Sequence, residues 1–207
     1  MAASERHDLR ARYDTATAAL EPPLAIIDMA AFRANADDLV RRAGQTPVRL
    51  ASKSIRVRSL LEAALRRPGF RGVLAYSLAE AVWLVDHGVD DIVMGYPGVD
   101  RASLARIAAE EELAAAITLC VDDVEQLDLL TAVLGSDHAV LRLCLDIDTS
   151  WRPLGLHVGA RRSPVREPAQ AAALAQEIKG REGFRLVGVM TYEAQIAGIP
   201  DAGAPVR

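Results

Sequence analysis

The sequence predicts an α/β fold built on a parallel sheet, and three observations carry that prediction. Short, nearly continuous apolar runs alternate with amphipathic helical stretches along most of the chain, as strands buried on both faces require. Helix start and stop signals sit between the runs. No G-x-G-x-x-G follows the first run and no Walker loop occurs, so the two commonest nucleotide-binding open sheets lose support. A doubly wound open sheet and a (β/α)₈ barrel remain.

The first twenty residues place Leu9, Tyr13, Ala16 and Leu20 on one helical face, and Pro22 and Pro23 separate that helix from the rest. Residues 1–21 are therefore expected to form a helical extension and residues 22–207 the α/β domain. Strands are expected at Leu24–Asp28, Val48–Ser52, Gly72–Tyr76, Asp91–Gly95, Ala116–Val121, Val140–Asp146 and Leu186–Thr191. After the first run, Phe32, Ala36, Leu39, Val40 and Ala43 fall at helical spacing. After the third, Ser77 and Glu80 read as a capping box and Gly88 as a stop. Asp122 reads as an N-cap with Glu125 three residues on, and Gly135 as the end of that helix.

A chain of 207 residues with 51% hydrophobic residues suffices for one sizeable domain or part of a larger one. Its net charge of -4, with Arg scattered among Asp and Glu, argues against nucleic acid as a partner. The charged N-terminus lacks the apolar centre of a secretion signal, and no run approaches the ~18 apolar residues of a membrane span, so a cytoplasmic protein is expected. Cys120 and Cys144 lie far apart in apolar runs and read as isolated, buried, unreactive thiols. His7, His87, His138 and His157 show no metal spacing. Asp37-Asp38, Asp90-Asp91 and Asp122-Asp123 read as caps and solvated faces, so no metal site is expected.

Four segments could carry chemistry. Lys53 ends the run Val48–Ser52, at the strand edge where parallel α/β proteins bind ligands. Partial desolvation there would favour the neutral amine that attacks an aldehyde. A solvated lysine at a strand-to-loop junction also accounts for it. The segment Asp146–Arg152 follows another strand. Arg152 could fix a phenolate or carboxylate, or the acids could cap a turn beside a solvated arginine. The segment Val189–Gln195 brings Tyr192 to a strand end, where it could stack on a planar ring that Glu193 and Gln195 orient, or simply pack. Tyr96 could line a pocket, although Pro97 and Gly98 explain its segment as a turn.

These segments, in this order, resemble the alanine racemase-like, fold-type III pyridoxal 5'-phosphate (PLP) enzymes. The chain looks closest to the D-threonine aldolase and D-serine dehydratase branch, which includes amino acid deaminase/aldolase proteins. Pro23-Leu24-Ala25-Ile26-Ile27-Asp28 looks like the branch's "TPxxxxD" strand, and Arg49–Ser54 is similar to its strand ending in the cofactor lysine. Asp148–Arg152 resembles "DTGxxR", with Ser150 in place of glycine and the arginine one residue nearer the aspartate. Gly188–Gln195 looks like "GxxxYEGH", with Ala194 and Gln195 in place of Gly and His. The racemases have a histidine where Tyr192 falls.

The resemblance implies a PLP-binding (β/α)₈ barrel with a β-rich second domain. It implies that Lys53 holds PLP as a Schiff base and that Arg152 and Tyr192 contact the cofactor. It further implies a D-amino or β-hydroxy amino acid substrate for an aldolase, dehydratase or racemase, and a homodimer. Counting from the lysine strand, the sequence holds six barrel strands, with Leu24–Asp28 as an extra leading strand and Pro200–Arg207 as a trailing loop. The last two strands, with the main phosphate loop, and the second domain are expected to be missing. A fragment, a truncated product and a chain completed by another all fit that expectation. A PLP-binding protein without turnover and an inactive remnant are the alternatives.

Overall fold

The computed structural model describes residues 3–135 and 137–198. The trailing loop expected at 200–207 lies outside them, as does the side chain of His7. The chain divides into two compact units between Arg42 and Ala43.

In the first unit, α1 spans Ala3–Thr17 and α2 spans Met29–Ala43. Leu20 lies beyond the end of α1, so the expected apolar face is shorter than the spacing implied. On α2, Ala36 is buried and Phe32, Val40 and Ala43 are half-buried, while Leu39 stays exposed. Leu24–Asp28, expected as a strand, forms none and pairs with no strand among the described residues. Its Leu24, Ile26 and Ile27 are exposed. Pro22 and Pro23 remove two backbone donors just ahead of it. Its last residue serves a helix instead: Asp28 Oδ1 accepts the N–H groups of Ala30 and Ala31 at 2.8 and 3.0 Å, and Tyr13 donates to Oδ2 at 2.7 Å.

The second unit is a strand–helix repeat. In order it runs β1 (Val48–Ala51), a 3₁₀ turn (Ser52–Ser54), α3 (Arg58–Leu65), β2 (Phe70–Ala75), α4 (Leu78–Val85), β3 (Ile92–Met94), α5 (Arg101–Ala109), α6 (Glu111–Ala116), β4 (Ile117–Val121), α7 (Val124–Leu134), β5 (Leu141–Ile147), a second 3₁₀ turn (Pro153–Gly155), α8 (Pro168–Gly180) and β6 (Phe184–Thr191). All six strands are parallel and lie in sequence order, with β1 and β6 at the edges. The six strands found lie within two residues of their expected ends.

Sequential order with right-handed crossovers places the connecting helices on one face of the sheet. There Val73, Ile92, Ile117 and Leu143 are at most 1% exposed, as are Leu104 and Ile107 of α5, Leu127 of α7 and Ile178 of α8. Alternate strand residues face the other side, which is polar near its base. Arg49 Nη1 lies 2.9 Å from Asp91 Oδ1 there and also donates to Asp91 O at 3.2 Å. Gly72, with φ +68°, makes room for this pair, because a Cβ at that position would lie 2.6 Å from Asp91 O.

Helix ends show where local signals hold and where packing redirects them. Ser77 caps α4 as expected, its Oγ accepting from Glu80 N at 3.2 Å. The Glu80 carboxylate does not close the box. It accepts from Ser52 Oγ at 2.9 Å and from Arg56 Nη1 at 2.8 Å, tying α4 to the turn after β1. Ser77→Ala is expected to cost about 1 kcal/mol in urea unfolding, with an unchanged denaturant slope. The cap of α7 is Asp123, not Asp122: Asp123 Oδ1 accepts from Glu125 N at 2.9 Å. Asp122 is buried at the end of β4, and Gln126 Nε2 donates to its Oδ1 at 2.8 Å. Gly135 ends α7 with φ +72°, as expected.

Candidate active site

Parallel strands place all their carboxyl ends at one edge, so residues from different strand ends meet there. Lys53 follows β1, Tyr96 follows β3, Arg152 follows β5 and Tyr192 follows β6. Tyr96 and Tyr192 line a cleft of about 420 Å³ on the sheet face opposite the connecting helices, with Leu74, Thr118, Cys144 and Met190. A larger recess of about 600 Å³, lined by Arg66, Arg71, His87 and Asp90, lies at the opposite strand ends. In folds of this kind that end serves stability, not chemistry.

Lys53 occupies the 3₁₀ turn between β1 and α3. Its side chain is exposed in this chain, not partly desolvated as expected, because the turn projects beyond the strand edge. The preceding Ser52 is 2% exposed and holds the turn in place, donating to Glu80 and making a longer contact of 3.3 Å with Leu74 O. Lys53 and Lys179 are the two lysines of the whole sequence, and Lys179 lies in the last turn of α8.

Arg152 reaches back to Asp148, with Nη2 3.5 Å from Oδ2. Arg166 Nε lies 3.4 Å from the same oxygen, and Ser150 N donates to Oδ1 at 2.9 Å. Burial works against the charge of Asp148, but the Ser150 hydrogen bonds and the two arginines hold its carboxyl below the usual range. Tyr192 stands with its backbone carbonyl accepting from Thr149 Oγ1 at 3.4 Å. Gln195 Nε2 donates to Thr149 O at 3.2 Å, so the β6 loop leans on the β5 loop.

Three features escaped sequence reasoning. Arg162, in the loop between β5 and α8, places its guanidinium carbon 4.4 Å from the Tyr96 ring centroid and 4.5 Å from that of Tyr192. The neighbouring basic pair Arg161-Arg162 is a visible signal, but nothing local links it to two tyrosines that lie 66 residues before Arg162 and 30 after it. Asp146, on β5, is 2% exposed, and its Oδ2 has no partner among the described residues. Burial, with Asp122 and Asp148 nearby, pushes its carboxyl up to about 6. Finally, the two cysteines are not isolated. Cys120 and Cys144 are register partners on β4 and β5, with Sγ atoms 3.2 Å apart and Met190 Sδ 3.8 Å from Cys120 Sγ. The contact with Cys144, together with burial, pushes the Cys120 thiol up, which keeps it protonated and inert.

Among the described residues, no group of three or more His, Cys, Asp or Glu side chains is placed to hold a metal ion. No helix among them is long and apolar enough to cross a membrane.

A sequential parallel sheet with its connecting helices on one face and an amine, a cation and two phenols at its carboxyl edge defines the chain as the sheet of a parallel α/β barrel. Residues 27–204 match the family model described as alanine racemase, N-terminal domain, and the chain belongs to that family. It is 26% identical over 181 residues to D-threonine aldolase from Arthrobacter sp, covering 86% of this chain and 45% of the relative. It is 26% identical over 173 residues to 3-hydroxy-D-aspartate aldolase from Paracoccus denitrificans, covering 80% and 43%. The chain thus spans less than half the length of these relatives. The fold is shared with the crystal structure of D-threonine aldolase from Filomicrobium marinum, with a TM-score of 0.64 and 22% identity over 82% of this chain and 44% of the other. It is shared equally with alanine racemase from E. faecalis, with a TM-score of 0.65 and 20% identity over 84% and 45%.

Proposed function

We propose that this chain carries the lysine side of a PLP site in an amino-acid-metabolising enzyme acting on D- or β-hydroxy amino acids. The observation that carries the reading is the position of Lys53. Of two lysines in the sequence, it is the one at the carboxyl end of a sheet strand. The chemistry of the donor set fits the cofactor: a primary amine for its aldehyde, tyrosine faces for its planar ring and an arginine for its phenolic oxygen. Lys53 would hold the aldehyde carbon through Nζ, Tyr192 would support the ring, and Arg152 would meet the phenolic oxygen. When bound, PLP supplies an electron sink for bond cleavage at the substrate α-carbon.

The residues of this chain would position and shield. Glu80, through Ser52, fixes the backbone from which Lys53 projects. The D-threonine aldolase and 3-hydroxy-D-aspartate aldolase relatives support retro-aldol cleavage ahead of racemisation. So does Tyr192 at the position where the racemases carry histidine.

The test is chemical mapping. The chain is incubated with PLP, reduced with borohydride and digested, and the modified peptide is sequenced by mass spectrometry. Label on Lys53 is expected. Label confined to Lys179 or the N-terminal amine overturns the assignment.

A further inference from the structure

The cleft mouth holds a cation with no counter-ion among the described residues. Arg49, Arg56, Arg106, Arg152 and Arg166 each lie within salt-bridge distance of a carboxylate. Among the described residues, no carboxylate lies within 4 Å of Arg162, and none of its N–H groups donates a hydrogen bond. The hydroxyls of Tyr96 and Tyr192, the two rings it lies over, have no hydrogen-bond partner there either. One guanidinium and two phenols, all donors, therefore stand together at the edge of the cleft that both rings line.

Arg162 is exposed, yet its backbone is anchored. The next residue, Ser163, is 4% exposed and donates from Oγ to Asp146 O at 2.7 Å. On the other side, Ala160 O accepts from Ser150 Oγ at 2.7 Å. Both anchors belong to β5 or the turn that follows it, so the loop presents Arg162 from a fixed base. Contact with two aromatic faces further restricts the guanidinium and occupies its apolar surface. What remains is the planar N–H fork, whose geometry matches a two-oxygen acceptor such as a carboxylate.

We infer that Arg162 binds the α-carboxylate of the amino-acid substrate, an inference that rests on the proposed PLP site. Arg152 already faces Asp148, whereas Arg162 offers its whole fork, so the two arginines divide the work. Arg152 serves the cofactor and Arg162 the substrate. A cleft of about 420 Å³ falls within the usual size range of small-molecule sites.

The test uses two stable reduced conjugates, phosphopyridoxyl-D-threonine and phosphopyridoxyl-D-threoninol, which differ in having a carboxylate or an alcohol. Their affinities are measured by calorimetry on the unchanged chain and on Arg162→Met, Arg162→Lys and Arg152→Met. On the unchanged chain the carboxylate form is expected to bind about 10- to 100-fold tighter, the value of a charge-assisted pair. Arg162→Met should reduce that preference to less than about 2-fold, and Arg162→Lys should leave an intermediate one. Arg152→Met should weaken both conjugates alike and keep the preference. Undiminished binding of the alcohol conjugate to Arg162→Met shows that the variant is folded. A preference that survives Arg162→Met, or an equal loss of both conjugates in that variant, overturns the carboxylate assignment and leaves the cofactor site standing. Failure of both conjugates to bind the unchanged chain overturns the cofactor site, and this inference with it.

Discussion

Lys53→Ala is expected to abolish the borohydride-trapped PLP adduct and its visible absorption band. With Lys53 gone, the side-chain amine left is Lys179, in the last turn of α8 ahead of the amino end of β6 and not at the carboxyl end of a strand. Lys53 itself needs no rearrangement to react, because its side chain is exposed on an anchored turn. The companion variant Lys179→Ala should label like the parent. Glu80→Gln tests the anchor: it weakens the pull on Ser52 and Arg56 and should slow labelling at Lys53 without moving it. Equal trapped yield in Lys53→Ala and parent, read by intact mass, would falsify the Lys53 site.

Asp146→Asn is expected to change how stability depends on pH. The carboxyl of Asp146 is raised from 3.8 to about 6, chiefly by burial and then by Asp122 and Asp148. Between those values the folded chain holds a proton that the unfolded chain releases, so stability falls as pH rises from about 4 to about 6 and then levels off. A shift of this size corresponds to about 3 kcal/mol. Asparagine keeps the shape and removes the titration. The stability gap between variant and parent should therefore widen in favour of the variant by about 2 kcal/mol between pH 4 and pH 7, read from urea melts. A gap that stays constant over that range would show that Asp146 titrates normally despite its burial. The penalty sits in the sheet layer bearing the cleft, where Asp146 Oδ2 has no partner among the described residues.

What the sequence determined by itself is everything with a local cause. Apolar runs bounded by turn residues located β1 to β6 to within two residues, because a strand buried on both faces must be apolar along its length. Ser77 and Gly135 set helix ends for equally local reasons, a side-chain acceptor for free N–H groups and a residue able to take positive φ. Once those strands are parallel, Lys53, Tyr96, Arg152 and Tyr192 must share an edge, since each lies in the turn or loop that follows a strand. The tertiary structure decided the rest. Leu24–Asp28 had the composition of a strand but no ladder to join, and a strand exists only through its neighbour's hydrogen bonds. Asp122 and Asp123 are equivalent as caps in sequence, and burial at the end of β4 assigned the role to the second. The Cys120–Cys144 pair, the raised carboxyl of Asp146 and the Arg162 contacts with Tyr96 and Tyr192 join residues 24 to 70 apart or depend on their burial. Such contacts have no period along the chain, so only the register of β4 on β5 and the path of the loop after β5 could place them.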